Sequence, residues 1–186
     1  MTPPTLRLLC LLLSFALIGM APMSVMAERW VLIDTQQRQA KVYDGEQELA
    51  RFAPVAVGMR GTAHARLLGD RTTPLGEFRV DRINSTSRFH IFLGINYPTL
   101  GHARDALDKG LISFDDYLDF REHLHRTGYP PQDTVLGGNI GIHGIGRGDP
   151  SIHELFDWTR GCVAVTNEQI ERLAELVGIG TRVVIR

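Results

Sequence analysis

Cysteine is nearly absent from this chain. There are two in 186 residues, Cys10 and Cys162. Cys10 lies in an apolar leader, so no disulfide framework can hold the folded part together. Charge of either sign is not in excess: 20 Lys and Arg face 21 Asp and Glu, a net charge of −1. That balance argues against a nucleic-acid binder, which carries a strong basic excess. Beyond the leader there is no apolar run of the ~20 residues that a membrane span needs. Repeats and low-complexity segments are missing as well.

The leader has Arg7 near the amino terminus, an apolar stretch from Leu8 to Met20, and the small-residue end Val25-Met26-Ala27. This pattern reads as a secretory signal peptide over 1–27, cut after Ala27. An uncleaved anchor is the alternative, and its apolar run is short for that role. Cleavage leaves about 159 residues, enough for one domain with a true core, and no stable membrane anchor. The leader holds one basic residue and no acid, which leaves 19 bases against 21 acids. Cys162 then stands alone in an exported protein. Such a thiol is either reactive, paired between molecules, or buried and inert.

Alternating patterns predict antiparallel strands at 29–35, 39–44 and 49–58, and again at 77–83. The segment 88–98 is more continuously apolar and ends at Pro98. Two helices are expected at 102–110 and 113–128. The second is capped by Ser113 and stopped by Gly128, with Phe114, Tyr117, Leu118, Phe120 and Leu124 as its packing face. Short strands follow at 139–144 and 161–166, separated by a brief helix after Asp149-Pro150. Thr166 and Gln169 form a capping box for a helix from Asn167 to Val177, and "TRVVIR" is the last strand.

The chemistry gathers around Cys162. Gly161 leaves the backbone beside it uncrowded, so backbone N–H groups can approach a developing oxyanion. A thiol nucleophile also needs a base, and the seven histidines are the candidates. His123 and His125 read as solvated, His90 as a satisfied core residue of a strand, and His64 and His102 as loop residues. "HELFD" at 153–157 resembles a zinc helix, but Asp157 replaces the second histidine and no further ligand cluster supports a metal. His143 ends the apolar segment Ile140–Ile142 and precedes Gly144, Ile145 and Gly146. If 139–144 and 161–166 are neighbouring strands, His143 and Cys162 meet at one end of a sheet.

"IHG" at 142–144 followed by "TRGCVAVTN" at 159–167 resembles the L,D-transpeptidase catalytic domain, or YkuD domain. "RTTPLGEF" (71–78) is similar to that family's Thr-Pro-x-Gly-x-Phe turn, and "INYP" (95–98) and "GLIS" (110–113) also fit. The resemblance runs from about Arg29 to Arg186, so the domain is taken as 28–186. It implies a mainly β, sandwich-like fold with a helical insertion and one helix after the cysteine. It also implies Cys162 as nucleophile, His143 as general base, and the Gly144 carbonyl as the group orienting the imidazole. Backbone N–H groups at Gly161 and Cys162 become the oxyanion hole. Arg160 and Thr73 are the candidate substrate contacts.

The implied substrate is the peptidoglycan stem peptide, attacked at its diaminopimelate–D-alanine bond to give a thioester. The implied role is in cell-wall crosslinking or remodelling and cell shape. An amine acceptor, a D-amino acid or a wall-attached protein resolves the thioester in a transpeptidase. Water does so in an L,D-carboxypeptidase or endopeptidase. A non-catalytic wall-binding module is a third alternative. No cofactor or metal is implied, and the location is the periplasm or cell wall.

Two positions depart from the family pattern: Arg160 stands where many members have histidine, and Ala164 where many have asparagine. The run Trp158-Thr159-Arg160-Gly161-Cys162 is similar to a recurrent branch. Arg160 can favour a thiolate, bind a substrate carboxylate, or pair with Asp157 at the surface.

Overall fold

The computed structural model describes residues 28–186, so the signal-peptide reading of 1–27 lies outside the described residues. Strand β1 (Arg29–Asp34) turns into β2 (Gln39–Asp44) and β3 (Gln47–Phe52), an antiparallel meander with the alternation seen in the sequence. Two short strands, β4 (Thr62–Ala63) and β5 (Thr73–Pro74), pair parallel beside the main sheet. The long β6 (Gly76–Ser87) forms a hairpin with β7 (His90–Ile95), and β8 (Gly141–His143) and β9 (Val163–Ala164) extend that side. The last strand, β10 (Arg182–Ile185), enters between β1 and β6, giving the order β3-β2-β1-β10-β6-β7-β8-β9.

This ladder folds back on itself. The chain leaving β3 returns to the opposite edge, where Ala56 and Ala164 exchange both backbone hydrogen bonds, at 3.0 and 2.8 Å. The expected strand 49–58 therefore stops at Phe52. Pro54 has no N–H to give to a ladder, and the residues beyond it serve β9 instead. The closure accounts for the sandwich-like character implied by the resemblance. Val31, Ile33, Phe78, Leu93, Ile95, Ile142, Val163 and Val183 fill the interior.

The helical insertion is α1 (Leu100–Asp108) and α2 (Phe114–Thr127). Helix α2 has the Ser113–Asp116 capping box and a left-handed Gly128 at its end, where φ is 74° and glycine carries no steric penalty. Its packing face is narrower than expected. Tyr117 and Phe120 are buried and Leu124 packs against the core, but Phe114 and Leu118 are exposed. Helix α3 (Pro150–Leu155) bridges β8 and β9. Their parallel pairing needs such a crossover, since a tight hairpin cannot join parallel strands. Helix α4 (Asn167–Leu176) follows β9, starts at the Thr166–Gln169 capping box, and buries Ile170 and Leu173. Among the described residues no helix is long and apolar enough to cross a membrane.

Candidate active site

The register of β8 and β9 brings the two sequence candidates together. His143 pairs with Ala164, and Cys162 lies two residues before Ala164. Side chains alternate across a strand, so Cys162 shares the face of Ala164 and of its partner His143. Cys162 immediately precedes β9, diagonal to His143 across the β8–β9 pair, and both line one cleft of about 880 Å³.

The imidazole of His143 is buried and held on several sides. Its Nδ1 is 2.7 Å from the Gly144 carbonyl oxygen. That contact assigns the proton to Nδ1 and leaves Nε2 with a free lone pair. Phe89 stacks on the ring at 4.2 Å, and Trp158 meets it edge-on at 5.9 Å. Trp158 is itself positioned, because its Nε1–H donates to His153 Nδ1 at 3.4 Å while His153 Nε2 reaches the Pro54 carbonyl at 3.1 Å. The turn after His143 is clamped by Asn167, whose amide accepts from Gly146 N–H at 2.8 Å and donates to Gly146 O at 2.9 Å. Gly144 must lack a side chain: a Cβ there would lie 2.6 Å from Asn167 Oδ1 and 2.8 Å from the Phe89 carbonyl.

Burial pushes the His143 pKa down to about 4, against a weaker upward pull from the Gly144 carbonyl. Burial also pushes the Cys162 thiol up, with the Gly141 backbone and the charges of Arg66 and Arg82 pulling the other way. The resting pair is therefore a neutral imidazole and a neutral thiol, which suits proton removal during attack rather than a preformed ion pair. The thiol of Cys162, a free cysteine, points at the Asn139 carbonyl, 3.6 Å away.

Two threonines fix the Cys162 peptide. Its carbonyl accepts from Thr159 Oγ1 at 2.7 Å and from Thr73 Oγ1 at 3.4 Å. Thr73 in turn accepts from Gly58 N–H at 2.9 Å and is wholly buried. The expectation that Thr73 contacts substrate is corrected by this: it lies behind the cysteine and outside the cleft. The place of Gly161 in an oxyanion hole is corrected likewise, because its N–H donates to Thr159 Oγ1 at 3.1 Å. Gly161 instead supplies conformation and space. Its φ is 129°, and a Cβ would fall 2.7 Å from Arg66 Nη1 and 2.8 Å from the Thr72 carbonyl. The Cys162 N–H has no hydrogen-bond partner among the described residues, which leaves it as a donor for an oxyanion.

Arg160 is exposed on the rim of the cleft and makes no ion pair with Asp157, whose Oδ1 accepts Val57 N–H at 2.9 Å. His90 also departs from expectation. It opens β7 and is satisfied by Glu171, 2.6 Å away, but it is exposed rather than part of the core. Among the described residues no three His, Cys, Asp or Glu side chains gather as a metal-binding group.

The cleft is lined by four arginines, Arg66, Arg71, Arg88 and Arg160, and by no carboxylate. Such a wall favours an anionic ligand. Of these, Arg66 had no marker in the sequence. Nothing local in "HARLLGD" (64–70) announces its burial. His153 had been weighed only as the start of the zinc-helix-like "HELFD", and Thr159 only as part of the Trp-Thr-x-Gly-Cys run.

The profile of the L,D-transpeptidase catalytic domain family, YkuD, matches residues 28–185. Among solved structures, the chain is similar to Bd1075 of Bdellovibrio bacteriovorus, with a TM-score of 0.56 and 22% identity over 89% of this chain and 50% of that one. It is also similar to the helical cell shape determining protein Pgp2 of Campylobacter jejuni, with a TM-score of 0.58 and 20% identity over 89% of this chain and 52% of that one. The chain thus spans about half the length of these two structures, and at such identities the likeness is one of fold. No curated protein matches it.

Proposed function

The chain belongs to the L,D-transpeptidase catalytic-domain family, and from that premise we propose that it is an exported, cysteine-dependent acyltransferase acting on peptidoglycan stem peptides. The observation that carries this reading is the shared cleft of Cys162 and His143, with His143 Nδ1 committed to the Gly144 carbonyl. The arginine-lined wall supports an acidic peptide as ligand.

In the first half-reaction, His143 Nε2 takes the thiol proton as Cys162 Sγ adds to the carbonyl of the L-centre. The Cys162 N–H donates to the oxyanion that forms. Collapse breaks the carbon–nitrogen bond to the D-residue, and its amine leaves with the proton held by His143. A thioester on Cys162 remains. In the second half-reaction an acceptor amine, from another stem peptide, a D-amino acid or a wall-attached protein, adds to that thioester. Its proton passes to His143, and the thiol is regenerated. Residues 1–27 act as the secretory leader and 28–186 as the catalytic domain, working in the periplasm or cell wall without a cofactor.

The test is incubation of the exported protein with purified disaccharide-tetrapeptide, followed by product mass. A crosslinked dimer, or exchange of the terminal D-amino acid, is the expected result. A tripeptide alone would assign water as the acceptor. Cys162→Ala is expected to keep the wild-type melting temperature and abolish all products. Turnover by that variant, or no product and no Cys162 adduct with the wild type, overturns the reading.

A further inference from the structure

Arg66 is buried to 4% exposure in a loop beside the cleft. Its Nε and Nη1 are the sole buried side-chain nitrogen or oxygen atoms, among the described residues, that lack a hydrogen-bond partner. Asp70 balances its charge at 3.5 Å from Nε, but the oxygens of Asp70 are already committed. Oδ2 accepts Leu67 N–H at 2.9 Å, and Oδ1 accepts Thr72 N–H at 2.9 Å and Thr72 Oγ1–H at 3.0 Å. A guanidinium out of water with its donors unused is unfavourable, and folded proteins seldom keep one without a purpose.

The surroundings hold that guanidinium in place without satisfying it. Its central carbon sits 5.7 Å from the Tyr97 ring centroid, over the ring. Glycines flank it on two sides. A Cβ on Gly161 would fall 2.7 Å from Nη1, and one on Gly137 3.4 Å from Nη2. Arg66 lines the same cleft as Cys162 and His143, and Gly161 immediately precedes Cys162. The other three arginines of the cleft, Arg71, Arg88 and Arg160, are exposed, so water can satisfy them. The planar fork of a guanidinium matches the two oxygens of a carboxylate.

We propose that Arg66 is the carboxylate-reading residue of the cleft, binding through a two-pronged hydrogen bond a carboxylate carried by one of the two residues joined by the bond that Cys162 attacks. The inference rests on the reading of the stem peptide as ligand. It adds that the enzyme selects a donor by a free carboxylate. Of the three free carboxylates on the tetrapeptide, two belong to the residues joined by the scissile bond, the terminal carboxylate of D-alanine and the free carboxylate of diaminopimelate, and the third, on γ-linked D-glutamate, lies one residue further back.

The experiment separates these two sources and does not depend on turnover. Cys162→Ala protein is titrated calorimetrically with the disaccharide-tetrapeptide and with two derivatives, each amidated at one of the two carboxylates. One amide is expected to bind about 10- to 100-fold more weakly than the acid, and its identity names the carboxylate. Adding Arg66→Gln should remove that preference, so that acid and amide bind alike, and Arg66→Lys should restore only a small part of it. Melting temperatures provide the folding control. Both variants should keep a single cooperative transition, because Asp70 stays anchored by Leu67 N–H, Thr72 N–H and Thr72 Oγ1–H.

Equal binding of the acid and both amides to the parent overturns the proposal. So does a preference that survives Arg66→Gln, or a collapse in melting temperature while Arg66→Lys keeps the full preference. Binding that depends on both Arg66 and the carboxylate, with no turnover by the wild type, sustains this inference and defeats the acyl-transfer reading alone. No binding of any of the three peptides overturns both.

Discussion

Replacing His143 by glutamine should flatten a specific part of the protein's acid sensitivity. His143 is buried and neutral, and burial holds its pKa at about 4 against 6.5 for the free side chain. The unfolded chain takes up a proton below pH 6.5 that the folded chain refuses until pH 4. The neutral imidazole's contribution is therefore fully present above pH 6.5, is lost as pH falls, and levels off below about 4. At 1.36 kcal/mol per unit, the gap caps the loss at roughly 3.4 kcal/mol. Linkage gives about 2 kcal/mol lost by pH 5 and about 3 kcal/mol by pH 4. Those are large fractions of the ~5–15 kcal/mol that a domain possesses.

Burial also lowers the pKa values of His102 and His153, so the whole protein is steeper than His143 alone. The difference between wild type and His143→Gln isolates the one group. Urea midpoints from pH 7.5 to 4.5 would measure it. The wild type should lose its advantage, or gain a disadvantage, by about 2 kcal/mol toward pH 5. A wild-type-minus-variant difference that is constant across this range refutes the assignment of a buried neutral imidazole.

The same depressed pKa should appear in the kinetics. Acylation of Cys162 by a carbapenem-type β-lactam should hold its rate down to about pH 5 and fall only toward pH 4, because the free base persists there. An acid limb near 6.5 would contradict it. Thr159→Val should cost about 1–3 kcal/mol, since the buried Gly161 N–H loses its acceptor. By calorimetry that is a melting temperature lower by very roughly 2–10 °C, and Thr159→Ser should restore it. A valine variant as stable as wild type would show that this hydroxyl does not anchor the cysteine turn.

Local chemistry explains why much of the fold was legible. Ser113 with Asp116, and Thr166 with Gln169, carry both halves of a capping box within four residues, so α2 and α4 declare their own starts. The alternation of β1 and β2 is likewise a property of adjacent residues. The proximity of His143 and Cys162 was only conditional in the sequence, because it depends on β8 and β9 being neighbours, a matter of topology.

What escaped the sequence depends on residues far apart in the chain. Arg66 is isolated by Tyr97, Gly137 and Gly161, and none of these stands near it in sequence. Thr73 was read as a substrate contact because it sits in a motif, but the three-dimensional fold places it under Cys162 with its hydroxyl already used. Phe114 and Leu118 were read into a buried face because periodicity cannot tell how much of a helix its neighbours cover.

The pairing of Ala56 with Ala164 has a consequence for how any ligand enters. It gives β9 a hydrogen-bonded neighbour on each side, β8 and the returning segment. A peptide therefore cannot reach Cys162 by adding itself as one more strand, the route that extended ligands take at an open sheet edge. Recognition has to come down onto the face, through side chains.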